Sequence, residues 1–226
     1  MKRIGVAMSN LFSVDNPVFS FLGKACDVII LSLIWTILCI PIVTIGPANT
    51  AIYYTAVKVI RRERGYLFRE FFKSFKLNFK RAFLMGLILT VSFVVLAFDL
   101  MWARENVKTG GTMGSVLMGV FVAITFLLVG FTTYVFPILS RFDMTIKQLI
   151  KAAAFMAMRH FPSTVAMIII TAAGILSVYL IPMLFFIIPG VIAILNSLLM
   201  ERILKRYMPK AETEEDNTSK DEWYLE

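Results

Sequence analysis

The chain has 226 residues, of which 58% are hydrophobic and 17% charged, with a formal net charge of +8 and a mean hydropathy of +0.78. A soluble fold of this size cannot hide so much apolar side chain behind so few charges. The single histidine, His160, excludes zinc sites built on paired histidines and the H-E-x-x-H motif, and the sequence holds no P-loop and no G-x-S-x-G elbow.

Charge-free runs set the fold class. Val28 to Val57 is 30 residues without Asp, Glu, Lys or Arg, Gly114 to Ser140 is 27 and Phe161 to Met200 is 40. As one helix the last would be about 60 Å long, twice the hydrocarbon thickness of a bilayer, so it must cross twice. The pattern predicts an all-α, polytopic transmembrane helix bundle.

The first apolar run begins only near Val28 and shows no convincing A-x-A site, so Met1 is expected to be retained. The first span covers Phe19 to Thr44, with Lys24 and Asp27 at its entry, spaced to pair on a helix. Cys26 and Cys39, 13 residues apart, read as small packing residues rather than a disulfide. Thr44-Ile45-Gly46-Pro47 predicts a reversal with proline opening a new helix. The stretch that follows, residues 47–60 and on to Arg62, is short enough to be either a short crossing or a re-entrant leg.

Next comes a basic segment, 63–81, in which Phe68, Phe71, Phe72, Phe75 and Phe79 follow helical spacing while Arg69, Lys73, Lys76 and Lys80 lie largely off that face. Such a segment predicts an amphipathic helix lying among anionic lipid headgroups, each basic side chain contributing about 1 kcal/mol, or else a docking surface for a partner. Ala82 to Trp102 is the next span, with Asp99 near its outer end, then a polar loop to Met113 and a return through Gly114 to Ser140.

A second amphipathic segment, 141–160, carries Ile146, Leu149, Ile150 and Ala153 on a narrow face beside Lys147 and Lys151. By placement alone it resembles the short helices through which permeases contact their ATPases. The 40-residue run is broken at Pro182 and Pro189, and the chain closes on an acidic tail, 209–226, with seven of the fifteen acids. Residues 1–208 thus read as one transmembrane domain and the tail as a disordered extension, Trp223-Tyr224-Leu225 being a candidate docking peptide.

Six crossings place 21 of the 23 Lys and Arg, and both termini, on the cytoplasmic side, leaving only Arg104 and Lys108 outside. Five crossings would strand Lys2, Arg3 and Lys24 outside. The positive charge is assigned to this orientation, not to nucleic acid.

Neutral polar groups mark the membrane interior. Asn49 and Tyr53 stand one helical turn apart, and Asn196 lies within the last crossing. They either bond across helices or face a sugar-like solute, which needs aromatic surface and amide donors. Pro47-Ala48-Asn49-Thr50-Ala51-Ile52 and Pro189-Gly190-Val191-Ile192-Ala193-Ile194 share P-x-x-x-A-I, a match that arises readily by chance in apolar sequence.

Asn10-Leu11, the Pro41-x-x-Thr44-Ile45-Gly46-Pro47 break, Tyr53-Tyr54 and Phe71-Phe72-Lys73-x-Phe75-Lys76-x-Asn78-Phe79-Lys80 together resemble the YesL-like family of bacterial membrane proteins of unknown function. The resemblance implies a bacterial plasma membrane and an association with carbohydrate uptake, and carries over no catalytic or ligand-binding residue. The expectation is an accessory or regulatory component of a carbohydrate importer, bound to its subunits, without catalysis or cofactor of its own. The alternative is a small transporter or channel for a sugar-like solute, which predicts that Asn49, Tyr53 and Asn196 share one cavity.

Overall fold

The computed structural model describes residues 17–108 and 112–207, with side chains from Leu22 onward. The acidic tail, the Asn10-Leu11 pair and the initiating methionine lie outside the described residues.

Helix α1, Pro17–Cys39, stops before Pro41, which lacks the N–H a helix needs and disfavours helical backbone at Ile40. A 3-10 turn, Ile42–Thr44, leads into α2, Ile45–Thr55, which continues as a π-helical stretch, Ala56–Arg61. Helix α3 is Leu67–Lys108 and α4 Thr112–Arg141. The short α5, Ile146–Arg159, precedes α6, Phe161–Leu180. A second 3-10 turn, Pro182–Phe186, leads to α7, Ile188–Leu204. All regular structure among the described residues is helical. Four helices are long and apolar enough to cross a membrane: α1 from Leu22, α3, α4 and α6.

The expected surface-lying helix does not form as a separate element. The basic phenylalanine segment and the following span are one helix of 42 residues, about 63 Å long. Neither glycine nor proline falls between Leu67 and Met85, so nothing ends the helix where its composition changes from basic to apolar. The aromatic stripe splits accordingly: Phe71 is fully buried, Phe75 is half-buried, and Phe68, Phe72 and Phe79 stay exposed with Arg69, Lys73, Lys76 and Lys80. The second segment does form its own helix, α5. It starts at Thr145, whose N–H and hydroxyl both donate to the Gln148 side-chain oxygen at 3.0 and 2.9 Å.

Helix α2 is the centre of the bundle, packed by α1, α3, α4 and α7. Ala48, Ala51 and Ala56 are fully enclosed, small residues being what lets helices approach closely in a membrane. At the tightest point Gly46 meets α3: a Cβ there would lie 2.0 Å from the Ala82 carbonyl oxygen and 3.0 Å from Gly86 Cα. Helix α7 docks on α1 through Gly190, whose N–H donates to the Ser32 hydroxyl at 2.9 Å.

The two hairpins containing the P-x-x-x-A-I matches share a plan. In each, a long helix (α1 or α6) ends near a proline (Pro41 or Pro182), a 3-10 turn follows, and a short helix starts with Pro47 or Pro189 in its first turn. Lys24 does not pair with Asp27. It reaches Glu63 at 2.5 Å, in the turn after the π stretch where Glu63 takes left-handed backbone (φ 54°).

Candidate functional site

A cavity of about 480 Å³ opens between the hairpins and α4. Helix α1 contributes Trp35, α2 contributes Asn49 and Tyr53, and α7 contributes Asn196. Helix α4 adds Thr132, Thr133, Phe136 and Pro137, α6 adds Thr171, and the second 3-10 turn adds Phe185. Asn49, Tyr53 and Asn196, singled out in sequence, are thus brought together although Asn196 is 143 positions beyond Tyr53.

Hydrogen bonding gives the wall a definite character. The hydroxyls of Thr132, Thr133 and Thr171 donate to the carbonyls of Leu128, Gly130 and Met167 at 2.8, 2.7 and 2.9 Å. Their single protons are therefore spent on the backbone, and they offer lone pairs only. The Trp35 indole N–H donates to the Asn49 side-chain oxygen at 2.9 Å, which fixes that amide. The Asn196 side-chain nitrogen donates to the Thr171 hydroxyl at 3.1 Å, while its buried oxygen has no hydrogen-bond partner among the described residues. Among the described residues no charged side chain lines the cavity.

Charge lies just beneath. The Tyr53 hydroxyl donates to Glu201 Oε1 at 2.8 Å, and Arg141 Nη2 grips the same oxygen at 2.6 Å. Arg62 stands 3.6 Å from Glu201 Oε2, and Arg61 donates to the Ser197 carbonyl and hydroxyl at 3.0 and 3.1 Å. Both Arg141 and Glu201 are buried. Around them Ile138, Leu149, Met200 and Leu204 belong to one buried apolar cluster, to which α5 contributes Leu149.

On the other side of α2, Lys58 pairs with Glu70 at 2.9 Å and donates to the Tyr54 hydroxyl at 3.2 Å. The wider π stretch spreads Lys58 and Arg61 around the helix axis, so that one serves α3 and the other α7.

The α5 residues divide. Leu149 and Ala153 are fully buried and Ile146 packs against the core, so these three do not form an outward coupling surface. Lys147, Ile150 and Lys151 remain exposed. Sequence reasoning missed Glu201, Arg141, Lys58 and Glu70, having counted the basic ones only for topology. A signal existed: Glu201 is the sole acid between Asp143 and Glu212, placed directly after the 40-residue apolar run. Between α5 and α6, His160 Nε2 lies 3.1 Å from the Tyr207 hydroxyl. Burial, then the nearby Arg206 and Arg159, hold its pKa below the usual value.

A family described as a protein of unknown function, DUF624, matches residues 28–100. The uncharacterized protein YesL of Bacillus subtilis (strain 168) is 25% identical over 177 residues, covering 76% of this chain and 81% of the relative. The chain is YesL-like. No solved structure matches it. The DUF624 match takes in α2, about half of α1 and most of α3, hence Asn49, Tyr53 and the Lys58–Glu70 pair, and stops short of Arg141, Asn196 and Glu201.

Proposed function

We propose that the chain is a bacterial plasma-membrane protein that binds a small uncharged, sugar-like solute in this cavity and catalyses no reaction. The observation that carries the reading is the cavity wall, which is uncharged and largely apolar, with Asn49, Tyr53 and Asn196 supplying its amide and hydroxyl groups beside the threonine oxygens. An anion is disfavoured because a largely apolar wall with no cationic side chain among its described residues offers it no counter-charge. A cation is disfavoured because Arg61, Arg62 and Arg141 surround the single carboxylate below. A neutral solute bringing hydroxyl donors fits both constraints, and Trp35 and Phe136 offer it apolar faces.

Six crossings accompany this reading, with the basic end and both termini cytoplasmic. Helix α2 with its π continuation, Ile45–Arg61, and α7, Ile188–Leu204, supply the two short crossings. The 17 residues of α7 reach about 26 Å, just under the hydrocarbon thickness, and α2 with its wider π continuation is somewhat shorter.

Trp35 makes the cavity observable by fluorescence. Maltose is expected to change the emission of the purified protein, with glucuronate and glucosamine giving no change. Asn196→Leu and Thr133→Val should each weaken the maltose response at least tenfold. Equal responses to all three compounds, or none to any, would sink the reading.

A second reading is favoured by the outer face of α5, where Lys147, Ile150, Lys151, Phe155 and Met158 are exposed. This face would dock on a carbohydrate importer's subunits while Phe68, Phe72 and Phe79 with their basic neighbours contact anionic lipid. Co-purification of importer subunits that is lost on Ile150→Glu with Lys151→Glu would support it.

A further inference from the structure

Two layers wall the cavity off from the basic end of the bundle. The first is polar: Tyr53, which lines the cavity, bonds Glu201 of α7, and Arg141 at the end of α4 holds the same carboxylate oxygen. The second is the apolar packing of Ile138, Leu149, Met200 and Leu204 around that polar layer, each essentially without solvent exposure.

The α4-side parts of both layers belong to one piece of chain. Ile138 and Arg141 lie on α4 just beyond Pro137, and α5 with Leu149 follows directly. Pro137 sits inside α4 at the depth of the cavity. It has no N–H to return to the Thr133 carbonyl and its ring crowds that carbonyl, so α4 is weakest there. The chain before the proline lines the cavity, and the chain after it closes the cavity.

We propose that the last turn of α4 together with α5 is a gate, hinged at Pro137 and latched to α7 by Arg141, Glu201 and Tyr53. Tyr53 alone among these three latch residues lines the cavity, so a bound solute whose oxygen accepts the Tyr53 proton competes with the latch. The structure is the state closed at the basic end. Opening swings Arg141 and Leu149 away from α7, which turns a binding cavity into a passage. The gate rests on the cavity reading given above, and its test separates the two.

A cysteine at Thr132, in a protein with Cys26→Ala and Cys39→Ala, reports access to the cavity. A membrane-impermeant maleimide is applied to sealed vesicles of each orientation. The Thr132→Cys protein should label only from the face opposite the basic end. Glu201→Gln and Tyr53→Phe should each raise labelling from the basic side at least tenfold, and Pro137→Ala should bring the Glu201→Gln rate back down. Labelling from the basic side before any latch substitution overturns the gate. So does an unchanged rate in latch variants that keep their elution volume and helical circular dichroism. If Glu201→Gln does not fold, Tyr53→Phe decides alone. Labelling from neither face in any variant overturns the solvent-open cavity itself, and the solute reading with it.

Discussion

Lys58 and Glu70 form a 2.9 Å ion pair, both side chains about nine-tenths buried, where the π stretch after α2 passes the foot of α3. Removing one partner leaves the other as a buried charge without its counter-ion, whereas replacing both by apolar residues of similar size leaves none. Glu70→Ala is expected to cost about 3–5 kcal/mol, and the double variant Lys58→Met with Glu70→Leu to recover most of that. Unfolding in detergent, arranged as a double-mutant cycle, measures the coupling. Two single losses that simply add would show that the pair is not coupled.

The split of the aromatic stripe can be tested one ring at a time. Phe71 is fully enclosed and Phe68 is 56% exposed. Phe71→Ala should destabilise by about 3–5 kcal/mol through lost burial and the cavity left behind. Phe68→Ala should change stability by no more than about 0.5 kcal/mol. Equal effects would place both rings in the same environment, contrary to the structure.

His160 links stability to pH, and the sign follows from its lowered pKa. Burial disfavours the imidazolium, and Arg206 and Arg159 add repulsion, so the fold prefers the neutral ring. Its contribution is fully present above the unfolded value of about 6.5. Below that the unfolded chain takes up the proton first, and stability declines until the folded protein protonates as well. The unfolding midpoint followed from about pH 8 down to about pH 5 should fall below about pH 6.5 in the native protein. In His160→Gln that part of the slope should vanish.

Much of the bundle was legible because lipid solvation is a blunt requirement: charge-free runs can only be membrane helices or buried ones. The start of α5 was legible as well, since Thr145 and Gln148 stand three apart before an apolar face. The continuity of α3 was not, because the change from lysine to leucine near Arg81 alters what surrounds a helix without altering the backbone's preference for one. Asn49, Tyr53 and Asn196 could be picked out as neutral polar groups in apolar surroundings. The charged floor could not, because Tyr53 and Arg141 lie 148 and 60 positions from Glu201, and only the folded bundle brings them to one carboxylate oxygen. Lys24 shows the same limit in small: the nearest acid in sequence was Asp27, yet the turn at Glu63 supplies the partner.

The unbroken α3 makes the protein a lever. Gly86 is pinned against Gly46 within the bundle, and Glu70 lies sixteen residues nearer the basic end of the same rod, about 24 Å away. A bilayer thinner or thicker than the apolar part of the helix is met by tilting. A 10° tilt about the glycine contact sweeps Glu70 through about 4 Å, more than the length of its bond to Lys58. The Lys58–Glu70 pair thus ties the foot of the rod to the bundle on the far side of the glycine contact, where any tilt has its longest arm.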